Sequence, residues 1–93
     1  MKLKFYIDTE TNEPHIYKHE ISEAEIVEFF QEIKYLERKR NDKSYEAFGR
    51  IHSNRFLHVV YRKEAADVFF VITAYDIEDK ELLNILKDFY ESN

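Results

Sequence analysis

Arg50, Arg55 and Arg62 stand close together in a stretch that also holds His58, and that mixture suits chemistry on phosphate esters. A ribonuclease that uses no metal needs cationic groups to hold the scissile phosphate and a group near neutral pKa to move a proton. The guanidinium groups meet the first need, and His58 or His19 the second. His58 shares a strand face with Phe56 and Val60, so the competing reading is a core histidine with one ring nitrogen hydrogen-bonded. The surrounding segment 34–63 carries nine Lys or Arg against three Asp or Glu, and holds all five arginines of a chain whose net charge is −5. Charge segregated along so short a chain implies a basic face on an acidic protein. Arg38 and Arg40 share a strand face with Lys34, and Arg50 shares one with Glu46 and Phe48. Arg38, Arg40, Arg50, Arg55 and Arg62 are therefore the candidate nucleic-acid contacts. Tyr35, Tyr45, Tyr61 and Tyr75 either stack on unpaired bases or pack within the fold.

Other chemistries have less to work with. Cysteine is absent, which removes disulfides, thiolate nucleophiles and cysteine-based metal sites. One glycine and one proline leave no phosphate-cradling loop and no linker. His15 and His19 are four apart but precede the first helix, where a third ligand cannot be placed, so neither a metal nor another cofactor is expected. Ser22 and Ser44 read as a cap and a turn residue, not as nucleophiles. No apolar run is long enough to cross a bilayer, and the start MKLKFYIDTE turns acidic where a signal peptide needs apolar residues. We expect a cytoplasmic protein with no membrane partner, folded as one domain over residues 1–93.

The elements that must position these residues follow from periodicity. Residues 2–8 alternate and read as a short strand, and residues 9–18 as loop or a single turn. Ser22 with Glu25 gives a capping box, Ile21 a staple, and Ile26, Val27, Phe29 and Phe30 the apolar stripe of a helix over 23–32. From residue 33 the period changes to two. Strands are expected over 33–40, 45–51, 56–62 and 68–75, with turns at Asn41-Asp42 and at residues 52–54 and a linker at 63–67. Asp76 and Asp79 cap a final helix over 77–91 that is expected to carry Ile77, Leu82, Leu83, Ile85, Leu86, Phe89 and Tyr90 inward. The expected fold is α+β, an antiparallel four- or five-stranded sheet with two packed helices, and Phe30, Val59, Ile72 and Leu86 are expected in its core.

Two segments also carry a resemblance. Lys18-His19-Glu20-Ile21-Ser22 is similar to the KHG-(I/V)-S segment, and Tyr45-Glu46-Ala47-Phe48-Gly49-Arg50 to the R-x-x-x-G-R strand, of the BrnT-type toxins of type II toxin–antitoxin modules. The segments 56–61 and 70–75 match that family's strand pair. The resemblance implies a RelE-like fold and a toxin-like endoribonuclease of messenger RNA, with Lys18, His19, Arg50 and Arg62 at its site and a cognate antitoxin as partner. The chain departs from the pattern at Glu20, which replaces a glycine, and at Tyr75, where the family's last strand carries an arginine. Loss of that arginine implies reduced cleavage, and the alternative is a non-catalytic module of the same fold that binds an acidic or antitoxin-like partner.

Overall fold

The computed structural model describes residues 1–32 and 34–91. In chain order these form β1 (Lys2–Phe5), β2 (Ile7–Asp8), β3 (Glu13–Pro14), a 3₁₀ turn (His15–His19), α1 (Glu23–Gln31), β4 (Leu36–Lys39), β5 (Tyr45–Ile51), a second 3₁₀ turn (His52–Asn54), β6 (Arg55–Ala65), β7 (Val68–Asp76) and α2 (Lys80–Glu91). The main sheet runs β1-β7-β6-β5-β4. Its four later strands are antiparallel, as the alternating pattern and short connections require, while β1 joins β7 in parallel, Lys2 facing Val68 and Phe5 facing Val71. The fold is thus α+β around a mixed sheet.

α1 starts where the sequence says it should. Ser22 Oγ accepts from the Glu25 N–H at 3.1 Å, and Glu25 Oε1 accepts from the Ser22 N–H at 2.9 Å, so two otherwise unsatisfied donors are paired. Ile21 and Ile26 bracket the cap, both buried. Ile26, Phe29 and Phe30 press on one face of the sheet, made by Ala47, Leu57, Val59, Tyr61, Val71 and Ala74, and this is the main core. Gly49 lies under it: a Cβ there would come within 2.9 Å of the Phe29 ring and 3.0 Å of Tyr35 and the Tyr90 hydroxyl.

Several boundaries differ from expectation, each for a local reason. α2 begins at Lys80, not at 77, because β7 continues through Asp76 and the Ile77 N–H still bonds to the Phe56 carbonyl at 3.0 Å. Asp79 alone caps the helix, accepting from the Leu82 N–H at 3.0 Å. Ile72 is half-buried, since the β6–β7 register slips between Val60 and Tyr61 and leaves it without a cross-strand partner, a bulge that turns its side chain. The expected linker at 63–67 shrinks to a two-residue turn, because β6 runs on to Ala65. Residues 9–18 hold more than a turn: β2 and β3 pair as a miniature hairpin before the 3₁₀ turn. Ile33, where the fourth-from-last strand was expected to begin, lies outside the described residues.

β4 also starts later than its pattern suggests. Extending the register in which Leu36 faces Phe48 would set Lys34 opposite Arg50. Instead the Tyr90 hydroxyl stands between them, donating to the Lys34 carbonyl at 2.8 Å and accepting from the Arg50 N–H at 3.0 Å. A side chain of α2 therefore completes the ladder that two backbones would otherwise have closed.

Candidate nucleic-acid interface

Alternation along the strands puts Arg38, Glu46, Phe48, Arg50, Phe56, His58, Val60 and Tyr75 on the sheet face opposite α1. The cross-strand register sorts them into rows. One row holds Phe48, His58 and Tyr75, the next toward α2 holds Arg50 and Phe56, and the next in the other direction holds Arg38, Glu46 and Val60. Neighbouring rows are separated by about 7 Å, the rise of two strand residues.

The middle row continues past the sheet. Phe48 stacks on His58 with ring centroids 4.4 Å apart, and His58 meets Tyr75 edge-on at 5.2 Å. Tyr75 then meets His19 edge-on at 5.2 Å, and His19 meets His15 at 5.5 Å. The 3₁₀ turn delivers His19 because β1 covers only the first part of β7, and the turn fills the edge beyond it. Ile16 and Ile21, both about fully buried, anchor that turn in the core. Glu20 closes it in the left-handed backbone conformation, φ 59°, a region that favours glycine.

His58 is held by a carboxylate. Its Nε2 lies 2.9 Å from Glu46 Oε1, while Arg38 donates to Glu46 Oε2 through Nε at 2.9 Å and Nη2 at 2.6 Å. Burial raises the Glu46 pKa, but the bonds from Arg38 and His58 outweigh it and hold the group below its ordinary value. Ionised Glu46 can only accept, so His58 carries its proton on Nε2. Nδ1 has no hydrogen-bond partner among the described residues. Burial lowers the His58 pKa, with Glu46 offsetting only part of that effect, so the ring is neutral near pH 7.

A family described as a domain of unknown function, DUF4258, matches residues 15–76. The chain belongs to the DUF4258 family. A search of curated proteins gives no match. The DUF4258 region runs from the 3₁₀ turn to the end of β7, so it contains the whole His19–Tyr75–His58–Phe48 row with Glu46 and Arg38. β1 and α2 lie outside it.

Within the DUF4258 domain the expected site residues separate into groups. His19 and Tyr75 are brought into contact. Arg50 is one row away, its guanidinium 4.3 Å above the Tyr90 ring. Arg62 is exposed on the same sheet face but four residues along β6 from His58, about 14 Å. Arg40 is exposed near it, and both act on the Asp42 carboxylate. Lys18 turns away: its Nζ pairs with Asp8 Oδ2 at 2.7 Å, and His15 Nδ1 lies 3.3 Å from the same oxygen. That lysine, with the Glu10 N–H and His15, lowers the Asp8 pKa to about 2. Arg55 is engaged completely, donating to Asp76 at 2.6 and 3.0 Å, to Glu25 at 2.7 Å and to the Glu20 carbonyl at 3.1 Å. It clamps α1 and the 3₁₀ turn to β7, and these bonds raise its pKa.

Sequence reasoning missed Glu46 and Phe48 as partners of His58. Their shared face with Arg50 was visible, but the β5–β6 register that sets Phe48 against His58 was not. Among the described residues no three His, Asp or Glu side chains gather as a metal ion would need, and no helix is long and apolar enough to cross a membrane.

Proposed function

We propose that the chain is a diverged toxin-like endoribonuclease that cleaves single-stranded RNA slowly and without a metal. The supporting observation is the row in which Tyr75 touches both His19 and His58, on a sheet face that also carries Arg38, Arg50 and Arg62. Glu20 adds support, because its left-handed backbone stands where the BrnT-type segment has glycine. In this reading neutral His58, fixed by Glu46, accepts the proton of a ribose 2′-hydroxyl through Nδ1. The 2′-oxygen attacks phosphorus, the 5′-oxygen departs with a proton from His19, and a 2′,3′-cyclic phosphate is left. Arg50, one row away, binds the phosphate oxygens. Tyr75 cannot supply the charge of the arginine that the BrnT-type strand carries there, which makes the reaction slow.

A second reading is a non-catalytic module that binds an acidic partner, such as a cognate antitoxin, in the cytoplasm. It is favoured over catalysis by Lys18, which the enzyme reading places at the site but which pairs with Asp8 and turns away from the histidine row. The experiment is exposure of total RNA to the purified protein with chelator present, followed by mapping of new 5′ ends. Cleavage that His19→Ala and Arg50→Ala reduce, and that Tyr75→Arg increases, supports the enzyme. No cleavage by the wild type, with tight binding to the product of a neighbouring gene, selects the module.

A further inference from the structure

We propose that the cavity between α2 and the sheet row Arg50–Phe56 binds a small organic phosphate monoester. Arg50 and Lys87 hold the phosphate, and the ester's planar or apolar part lies against Phe56, Ile77 and Leu83. The site is an open cleft of about 530 Å³, a volume within the range of about 300–1,000 Å³ usual for small-molecule sites. It lies one row from the histidines and shares Arg50 with the RNA reading, while α2, which supplies Leu83, Lys87 and Glu91 to its lining, is outside the DUF4258 match.

The ligand class follows from the charges and surfaces of the lining. Arg55 and Asp76 both line the cavity but neutralise each other at 2.6 Å. Arg50 and Lys87 have no carboxylate partner among the described residues, which leaves Glu91 as the one opposing charge in the lining. Two cations against one carboxylate suit a dianion better than a single carboxylate. The Tyr90 ring under the Arg50 guanidinium fixes its plane and leaves its N–H edge for paired bonds to two phosphate oxygens. Inorganic phosphate would use only the charged part, because Phe56, Ile77 and Leu83 offer no hydrogen bonds. An ester with an apolar or aromatic body uses both.

A nucleotide is such an ester, either free or as the phosphorylated end of an RNA. The inference deepens the RNA reading through Arg50, but its test is direct binding. Calorimetry on the full chain would compare adenosine 5′-monophosphate, adenosine, inorganic phosphate, and a short RNA with and without a 5′-phosphate. The monophosphate is expected to bind at least about tenfold more tightly than adenosine or inorganic phosphate, as one or two charge-assisted bonds provide. Lys87→Ala, on the exposed side of α2, and Leu83→Trp, which fills the cavity, should each weaken it about tenfold at unchanged helix content. Competition by phosphorylated RNA alone assigns the site to an RNA end, and binding of the free nucleotide alone assigns it to a small ligand. Absence of monophosphate binding at millimolar concentration overturns the proposal, as does binding that neither variant weakens. A protein that binds the monophosphate and cleaves no RNA keeps this site and loses the ribonuclease reading. Cleavage without monophosphate binding does the reverse.

Discussion

Glu20 shows how much one backbone angle can hold. Its φ of 59° places a bulky residue where L-residues lose about 1–2 kcal/mol, and its side chain has no hydrogen bond among those between described side chains. Glu20→Gly should therefore raise stability by about 0.5–1 kcal/mol, the relief being reduced by the greater freedom of glycine in the unfolded chain. Urea unfolding would measure it, and a loss of stability would contradict the argument. His58 gives a pH dependence of definite sign. Its folded pKa lies below the ordinary imidazole value of 6.5, so the unfolded chain binds the proton more readily. Stability from this residue is complete above about pH 6.5 and is lost as pH falls toward the folded pKa. Unfolding midpoints should drop between pH 7.5 and 5.5, and His58→Gln should flatten that slope. The role of His58 was half legible in the sequence. His19 and His58 stood out as chemistry-bearing residues, whereas the strand register that gives His58 its carboxylate is a tertiary fact. Arg55 read as a phosphate ligand because a spacing argument cannot see Glu25 and Asp76 converging on it from α1 and β7.

At the level of elements, α2 depends on few anchors. Leu86 is fully buried yet stands outside the main core cluster, and Leu86→Ala should cost about 2–5 kcal/mol. Tyr90 is the other anchor. Tyr90→Phe removes the hydroxyl that joins the Lys34 carbonyl to the Arg50 N–H, and should cost about 1–3 kcal/mol because both backbone groups lose their partner. The same variant should speed amide exchange at Arg50 while leaving β6 and β7 protected, which hydrogen exchange would resolve residue by residue. Helix and strand existence were legible here because the periods of 3.6 and two are written into the apolar residues. The boundaries were not, since the start of α2 was decided by β7 running on through Asp76, and the start of β4 by a phenol arriving from the far end of the chain.

For the whole molecule, the charge separated along the chain is partly neutralised by pairing in the fold, Arg38 with Glu46, Arg55 with Glu25 and Asp76, and Lys63 with Glu37. Arg38, Arg50 and Arg62 fall on one sheet face, although Arg38 is neutralised by Glu46, and Arg40 is exposed just past the end of β4. Binding of single-stranded RNA to this face should weaken with salt, with a slope of log affinity on log salt of about −2 for three phosphate contacts. Fluorescence anisotropy over a salt series would check it, and Arg40→Glu with Arg62→Glu should flatten the line. The α+β layering was legible because two amphipathic helices and four apolar strands have few ways to cover one another. The parallel placement of β1 was not, since alternation marks a strand but never its neighbour. That placement has a consequence for the order of assembly. Lys2–Phe5 leaves the ribosome before the other strands of its sheet, and its partner Val68–Val71 emerges after all of them. At roughly 5–20 residues per second it waits some seconds unpaired, so the strand made first is among the last to dock, and chaperones that bind nascent chains would meet this segment before its own sheet does.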